Sequence, residues 1–157
     1  MKKYNKHEKW MVEAYRQAEK AYILDEVPVG CVIVQNDLVI GRGHNLVEKL
    51  HDSTAHAEMI SITSAANFNN NWRLNNCSIY VTKEPCIMCF GAILHSRIKN
   101  LYYGIIDLDN GFKVKIKSHY LFNNHLKIIQ SGILEKKCKH IIEDFFTKKR
   151  KNNKKKY

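Results

Sequence analysis

The chain has 157 residues, 45% of them hydrophobic, enough for one compact domain with a core and too few for two ordinary ones. Its formal net charge of +11 favours a polyanionic partner, because each phosphate neutralised by Lys or Arg releases counterions. A genome-wide bias toward Asn, Ile and Lys would produce the same balance. No stretch approaches the ~20 apolar residues of a membrane span. The basic start Met1-Lys2-Lys3-Tyr4-Asn5-Lys6-His7 has no apolar run behind it, so no signal peptide is expected and the cytosol is the default compartment.

The predicted elements alternate between the two backbone periods. Residues 5–24 form a helix with Trp10, Ala14, Ala18 and Ala21 on one stripe and Glu13, Arg16, Glu19 and Lys20 mostly off it. Residues 27–35 are a continuous apolar run rich in β-branched side chains, which suits a buried strand. Asn36-Asp37 marks a turn, and residues 38–43 pair back as a hairpin. A polar connection covers 44–53. Thr54 then suits a helix N-cap, and a helix runs to about residue 66 with His56 and Glu58 in its first turn. The asparagine-rich stretch 67–76 is a loop. A strand covers 78–82, and Pro85 fits the first turn of the next helix. Residues 98–103 form another strand, reached through that helix, so the two strands are parallel. Residues 104–126 are loop with short helical pieces, 126–130 a last strand and 133–147 a terminal helix. The run 148–157 is a basic tail, either a solvated helix end or an arm that grips phosphates.

Two strings carry chemistry: His56-Ala57-Glu58, and Pro85-Cys86-Ile87-Met88-Cys89. A histidine nitrogen and two thiolates suit Zn²⁺, and three protein ligands leave the fourth tetrahedral position for water. Cys86 and Cys89 lie about one helical turn apart, so both sulfurs can meet one ion. Helix N-termini favour the thiolate over the thiol. Glu58, two residues past the histidine, is placed to move protons rather than to bind metal. The pattern His-x-Glu followed by Pro-Cys-x-x-Cys is that of zinc nucleobase deaminases.

Taken singly, these residues also have plainer roles. A Cys-x-x-Cys pair can be redox-active, but that leaves His56 and Glu58 without a part to play. A structural zinc knuckle needs a fourth ligand, for which His44, His51 and His95 are candidates. Glu58 alone could simply favour the helix dipole. Of five cysteines, Cys31, Cys77 and Cys138 are expected to be free thiols, Cys31 as a small buried hydrophobe. An odd count without framework spacing is a poor disulfide scaffold.

Four strings in order, Glu26-Val27-Pro28-Val29-Gly30, the run from His51 to Glu58, the run from Tyr80 to Cys89, and His95-Ser96-Arg97-Ile98, closely resemble the bacterial tRNA-specific adenosine deaminases. The zinc strings alone are shared with cytidine, cytosine and guanine deaminases. The resemblance implies a three-layer α/β/α cytidine-deaminase-like fold with a mixed five-stranded sheet, and residues 1–150 as one zinc-dependent deaminase domain. It implies one Zn²⁺ per subunit on His56, Cys86 and Cys89, with Glu58 as proton shuttle. It further implies a homodimer acting on the wobble adenosine of an arginine tRNA anticodon, yielding inosine. Asn45 resembles the family's base-contacting asparagine, although a turn role would also account for it. Asp107 resembles a position lining the RNA-binding loop. Phe145-Phe146 and the basic residues after them resemble the family's terminal helix, where stacking on RNA and packing on the core are both open. Residues 105–106 and 108–117 match poorly, and Cys31 stands where alanine is expected. A free nucleobase or nucleoside deaminase is the alternative function; a non-catalytic zinc-stabilised RNA-binding module is a third.

Overall fold

A computed structural model describes residues 4–116 and 125–154. Helix α1 (Lys6–Ile23) begins with a capping box: the Glu8 amide donates to Asn5 Oδ1 at 2.9 Å and the Asn5 amide to Glu8 Oε2 at 3.0 Å. That satisfies two of the amide donors a helix start leaves orphaned. Its apolar stripe, extended by Met11 and Tyr15, is buried as expected.

The sheet follows from a hairpin and a crossover. Strands β1 (Gly30–Gln35) and β2 (Leu38–His44) are antiparallel. Between them Asn36 and Asp37 both take positive φ, 49° and 58°, the backbone of a type I′ turn. β1 also pairs antiparallel with β3 (Ser78–Lys83). β3 is followed by α4 (Ile87–His95) and the parallel strand β4 (Asn100–Ile105); β5 (Ile128–Gln130) pairs parallel with β4. The order is β2-β1-β3-β4-β5, a mixed five-stranded sheet.

Period-two alternation splits the core in two. Val32, Val34, Tyr80 and Tyr102 pack with Trp10, Met11, Ala14 and Ala18 of α1 and with Cys138 and Ile141 of α6 (Glu135–Lys154). Cys31, Ile33, Ile79, Val81, Leu101 and Tyr103 face Ala57 and Ala65 of α3 (Ala57–Asn69) and Phe90 and Ile93 of α4. The result is three layers. Close approach needs glycine: a Cβ on Gly30 would stand 2.0 Å from the Ala14 carbonyl oxygen, and one on Gly43 2.4 Å from that of Ala57. The second contact sets the start of α3 against the sheet, which positions the site. Two one-turn helices complete the fold, α2 (Val47–Leu50) in the 44–53 connection and α5 (Phe112–Lys115) in the weakly patterned segment.

The structure corrects several expected boundaries. Thr54 does not cap α3; its amide and hydroxyl turn to Asp52 Oδ1 at 2.8 and 2.7 Å, and His56 is the N-cap. Pro85 precedes the helix rather than opening it, and Cys86 is the N-cap of α4. The strand expected at 98–103 lies two residues later. The first strand begins at Gly30; the Val29 amide turns back to the Val27 carbonyl (2.8 Å), while the Val29 carbonyl still accepts the Asn45 amide at 3.1 Å. Residues 117–124 of the expected loop lie outside the described residues. The terminal helix runs past 147, because tertiary contacts hold its basic end. Lys148 pairs with Asp144 at 2.9 Å and donates to Tyr22, and Lys149 pairs with Asp25. Phe145 is buried and Phe146 exposed. Among the described residues no helix is long and apolar enough to cross a membrane.

Candidate active site

Two helix starts converge at the carboxyl end of β3. His56 is the N-cap of α3 and Glu58 its second residue; Cys86 is the N-cap of α4 and Cys89 its third residue. His56 Nδ1 lies 3.4 Å from Cys89 Sγ and 3.6 Å from Cys86 Sγ. One ligand atom from each of these three residues falls within 4.8 Å of the others. At zinc–nitrogen and zinc–sulfur bond lengths, tetrahedral donors stand about 3.6 Å apart. The three residues therefore fit Zn²⁺. Among the described residues no other His, Cys, Asp or Glu joins this cluster. His44, His51 and His95 stay outside it, so the fourth ligand that a structural knuckle requires is missing from this set.

The electrostatics suit a cation. The Cys86 thiol is pulled down to about 3, first by its hydrogen bond with Cys89 and, against the effect of burial, by the bond with His56. Cys89 is pushed upward by the same sharing and by burial. His56 is raised, first by its bond with Cys86. The trio thus concentrates thiolate charge and keeps protons that a divalent ion would displace. Glu58 is 4% exposed. Burial raises its pKa, partly offset by the amide at the helix start. A buried carboxyl group in this position can take a proton and give it back. His56, Glu58 and Cys86 line a cleft of about 490 Å³, and Cys89 is fully buried behind it.

The profile of the MafB19-like deaminase family matches residues 5–150. A protein of Haemophilus influenzae named tRNA-specific adenosine deaminase is 42% identical over 151 residues, covering 94% of this chain and 87% of its own. The chain belongs to the tRNA-specific adenosine deaminase family. A solved structure described by A-to-I editing by tRNA:A34 deaminases at the wobble position superposes with a TM-score of 0.78 at 36% identity, covering 85% of this chain and 98% of that one. Guanine deaminase from Bacillus subtilis superposes at 0.63 with 34% identity, over 67% and 68% of the two chains. The fold is thus that of the cytidine-deaminase-like enzymes, and the chain is a deaminase.

In this deaminase Asn45 and Asp107 both line the cleft. Asn45 is 8% exposed, and its Nδ2 donates to Glu26 Oε2 at 3.3 Å. The Asp107 carboxylate faces its own loop: it takes the amides of Asp109 and Asn110, each at 3.1 Å, and the Lys83 ammonium. Burial opposes its ionisation, but Lys83 and those amides more than compensate, and its pKa is lowered.

Three further residues of the deaminase lie in the strings that carry the family resemblance, but the sequence alone assigns them no role. Glu26 is buried and accepts the Glu48 and Lys49 amides at 3.3 and 2.7 Å, holding the start of α2 as one wall of the cleft. Glu84, also buried, accepts the Asp107 and Lys113 amides at 3.0 and 3.1 Å, holding the opposite wall. These part-buried amides each gain a charged acceptor, which ties both walls to the cleft floor. Lys83 is the third. The sequence signal for the two glutamates is their place in those strings, two residues (Glu26) or one residue (Glu84) ahead of a proline.

Proposed function

We propose that this deaminase converts the wobble adenosine, position 34, of a tRNA(Arg) anticodon loop to inosine, with one Zn²⁺ per subunit. The observation that carries the reading is the meeting of His56, Cys86 and Cys89 beside the buried carboxylate of Glu58, in a chain related over nearly its whole length to tRNA-specific adenosine deaminases. His56, Cys86 and Cys89 would hold the ion, which when bound supplies an activated water at neutral pH.

Glu58 does the proton work. It takes a proton as the oxygen adds to C6 of the adenine, and passes it to ring N1. It then carries the second water proton to the exocyclic amine. The C6–N bond breaks, ammonia leaves and the C6 carbonyl of inosine remains, so one water enters for each ammonia released. Asn45, held by Glu26, offers the rest of its amide to the base. An anticodon loop suits the cleft because its bases are already unpaired and turn out cheaply.

The working form we propose is a cytosolic homodimer with its sites near the subunit interface. Exposed Leu50 and Ile87 support this, the latter directly following Cys86. The basic tail acts as a phosphate-contacting arm from Arg150 onward, since Lys148 and Lys149 are tied to Asp144, Tyr22 and Asp25. Ending the chain at Lys149 is expected to flatten the dependence of RNA affinity on salt; an unchanged slope would return the arm to solvated surface.

The guanine deaminase relative favours a second reading, turnover of a free base, although its match spans only about two thirds of the chain. Inosine formation on an arginine tRNA transcript with an ACG anticodon, run beside free adenosine, cytidine and guanine, separates the two. Inosine on the transcript alone is expected. Turnover of a free base with the transcript untouched would keep the chemistry and discard the tRNA.

A further inference from the structure

Lys83 ends β3 three residues before Cys86 and lines the same cleft as His56 and Glu58. Among the described residues that line the cleft directly it is the one Lys or Arg, Lys49 and Lys113 contributing backbone amides to the walls behind. Of the five acids that line the cleft with it, Glu58 is the proposed proton carrier, Glu48 lies on the opposite wall, and the other three are engaged by protein donors. Glu26 and Glu84 accept backbone amides, and Asp107 accepts two amides through Oδ1. The second oxygen of Asp107 holds the Lys83 ammonium.

That ion pair is anchored on its acidic side. The Asp107 amide is itself fixed to Glu84 Oε2 at 3.0 Å. The Asp107 side chain is 10% exposed and that of Lys83 30%. The cation is therefore the outer member, and the pair presents ammonium to whatever enters. An ammonium has three donors, and Asp107 Oδ2 uses one. A long side chain normally loses entropy on binding a ligand; here Asp107 has already fixed the amine.

We propose that Lys83 is a phosphate-binding residue of the active-site mouth, its ammonium taking a non-bridging oxygen of the RNA backbone next to the nucleotide turned into the cleft. The inference rests on RNA being the substrate. It makes Asp107 a positioning residue that acts through Lys83.

The test is steady-state deamination of an anticodon stem-loop with adenosine at the wobble position, over a series of salt concentrations, by the wild type, Lys83→Met, Lys83→Arg and Asp107→Asn. Lys83→Met is expected to raise KM about tenfold, the low end for a charge-assisted hydrogen bond, with a much smaller change in kcat. Its slope of log affinity against log salt should shrink by about 0.7, one phosphate contact on a single strand. Lys83→Arg should restore both quantities, and Asp107→Asn should keep the full slope because the ammonium remains. If Lys83 only braces the loop, Lys83→Met and Asp107→Asn will show the same defect and neither will change the slope; that result overturns the proposal. Inosine from the wild type with KM and slope unchanged in Lys83→Met overturns this inference alone. No inosine from the wild type overturns RNA as the substrate, and the inference with it.

Discussion

Glu58→Gln is expected to cut turnover of the tRNA transcript by roughly two to four orders of magnitude, the usual contribution of one positioned acid–base group, while leaving fold and metal content intact. The amide matches the carboxylate in shape, so no cavity opens, but it can neither take nor carry the proton. The variant should be no less stable than the wild type. Burial raises the Glu58 pKa, which means the fold disfavours its ionised form. A carboxyl group of this kind costs stability above its unfolded pKa, and removing the charge removes that cost. Single-turnover rates, a thermal melt and zinc analysis on the same preparation read all three quantities. Wild-type turnover in this variant would remove Glu58 from the mechanism.

Cys86→Ser will act in the opposite way, on metal and stability together. A serine hydroxyl is harder than a thiolate and stays protonated at neutral pH, so the site loses one of its two thiolate donors. Metal binding to a folded site is folding free energy. Zinc stoichiometry should fall well below one per chain, and the melting temperature should fall with it. A chelator should erase the difference in melting temperature, because the wild type then loses the same contribution. Full zinc occupancy in the variant would contradict the ligand assignment. A stability gap that persists in chelator would place the role of Cys86 in packing.

Both predictions rest on residues legible from short local strings. His-x-Glu and Cys-x-x-Cys put their side chains at helix starts by spacing alone, and the alternation of apolar residues placed the hairpin, β3 and α1 to within a few residues. The boundary errors have one kind of cause. Thr54 was the better cap by residue type, but Asp52 accepts both its amide and hydroxyl, and His56 became the cap. The basic end of α6 has weak helical reason of its own, and is held by partners as far off as Tyr22 and Asp25.

By itself, then, the sequence singled out the proposed donor set and the carboxylate beside it, because both depend on spacings within two short strings, and it pointed to the class of fold through the resemblance those strings carry. Only the tertiary structure decided which charged residues brace the cleft and which stay open to it. Glu26 and Glu84 meet their amides across 22 to 29 residues, and Asp107 meets Lys83 across 24. Nothing local distinguishes a buried carboxylate saturated by backbone donors from an exposed one. The difference lies in how α2, β3 and the loop after β4 close around the same space.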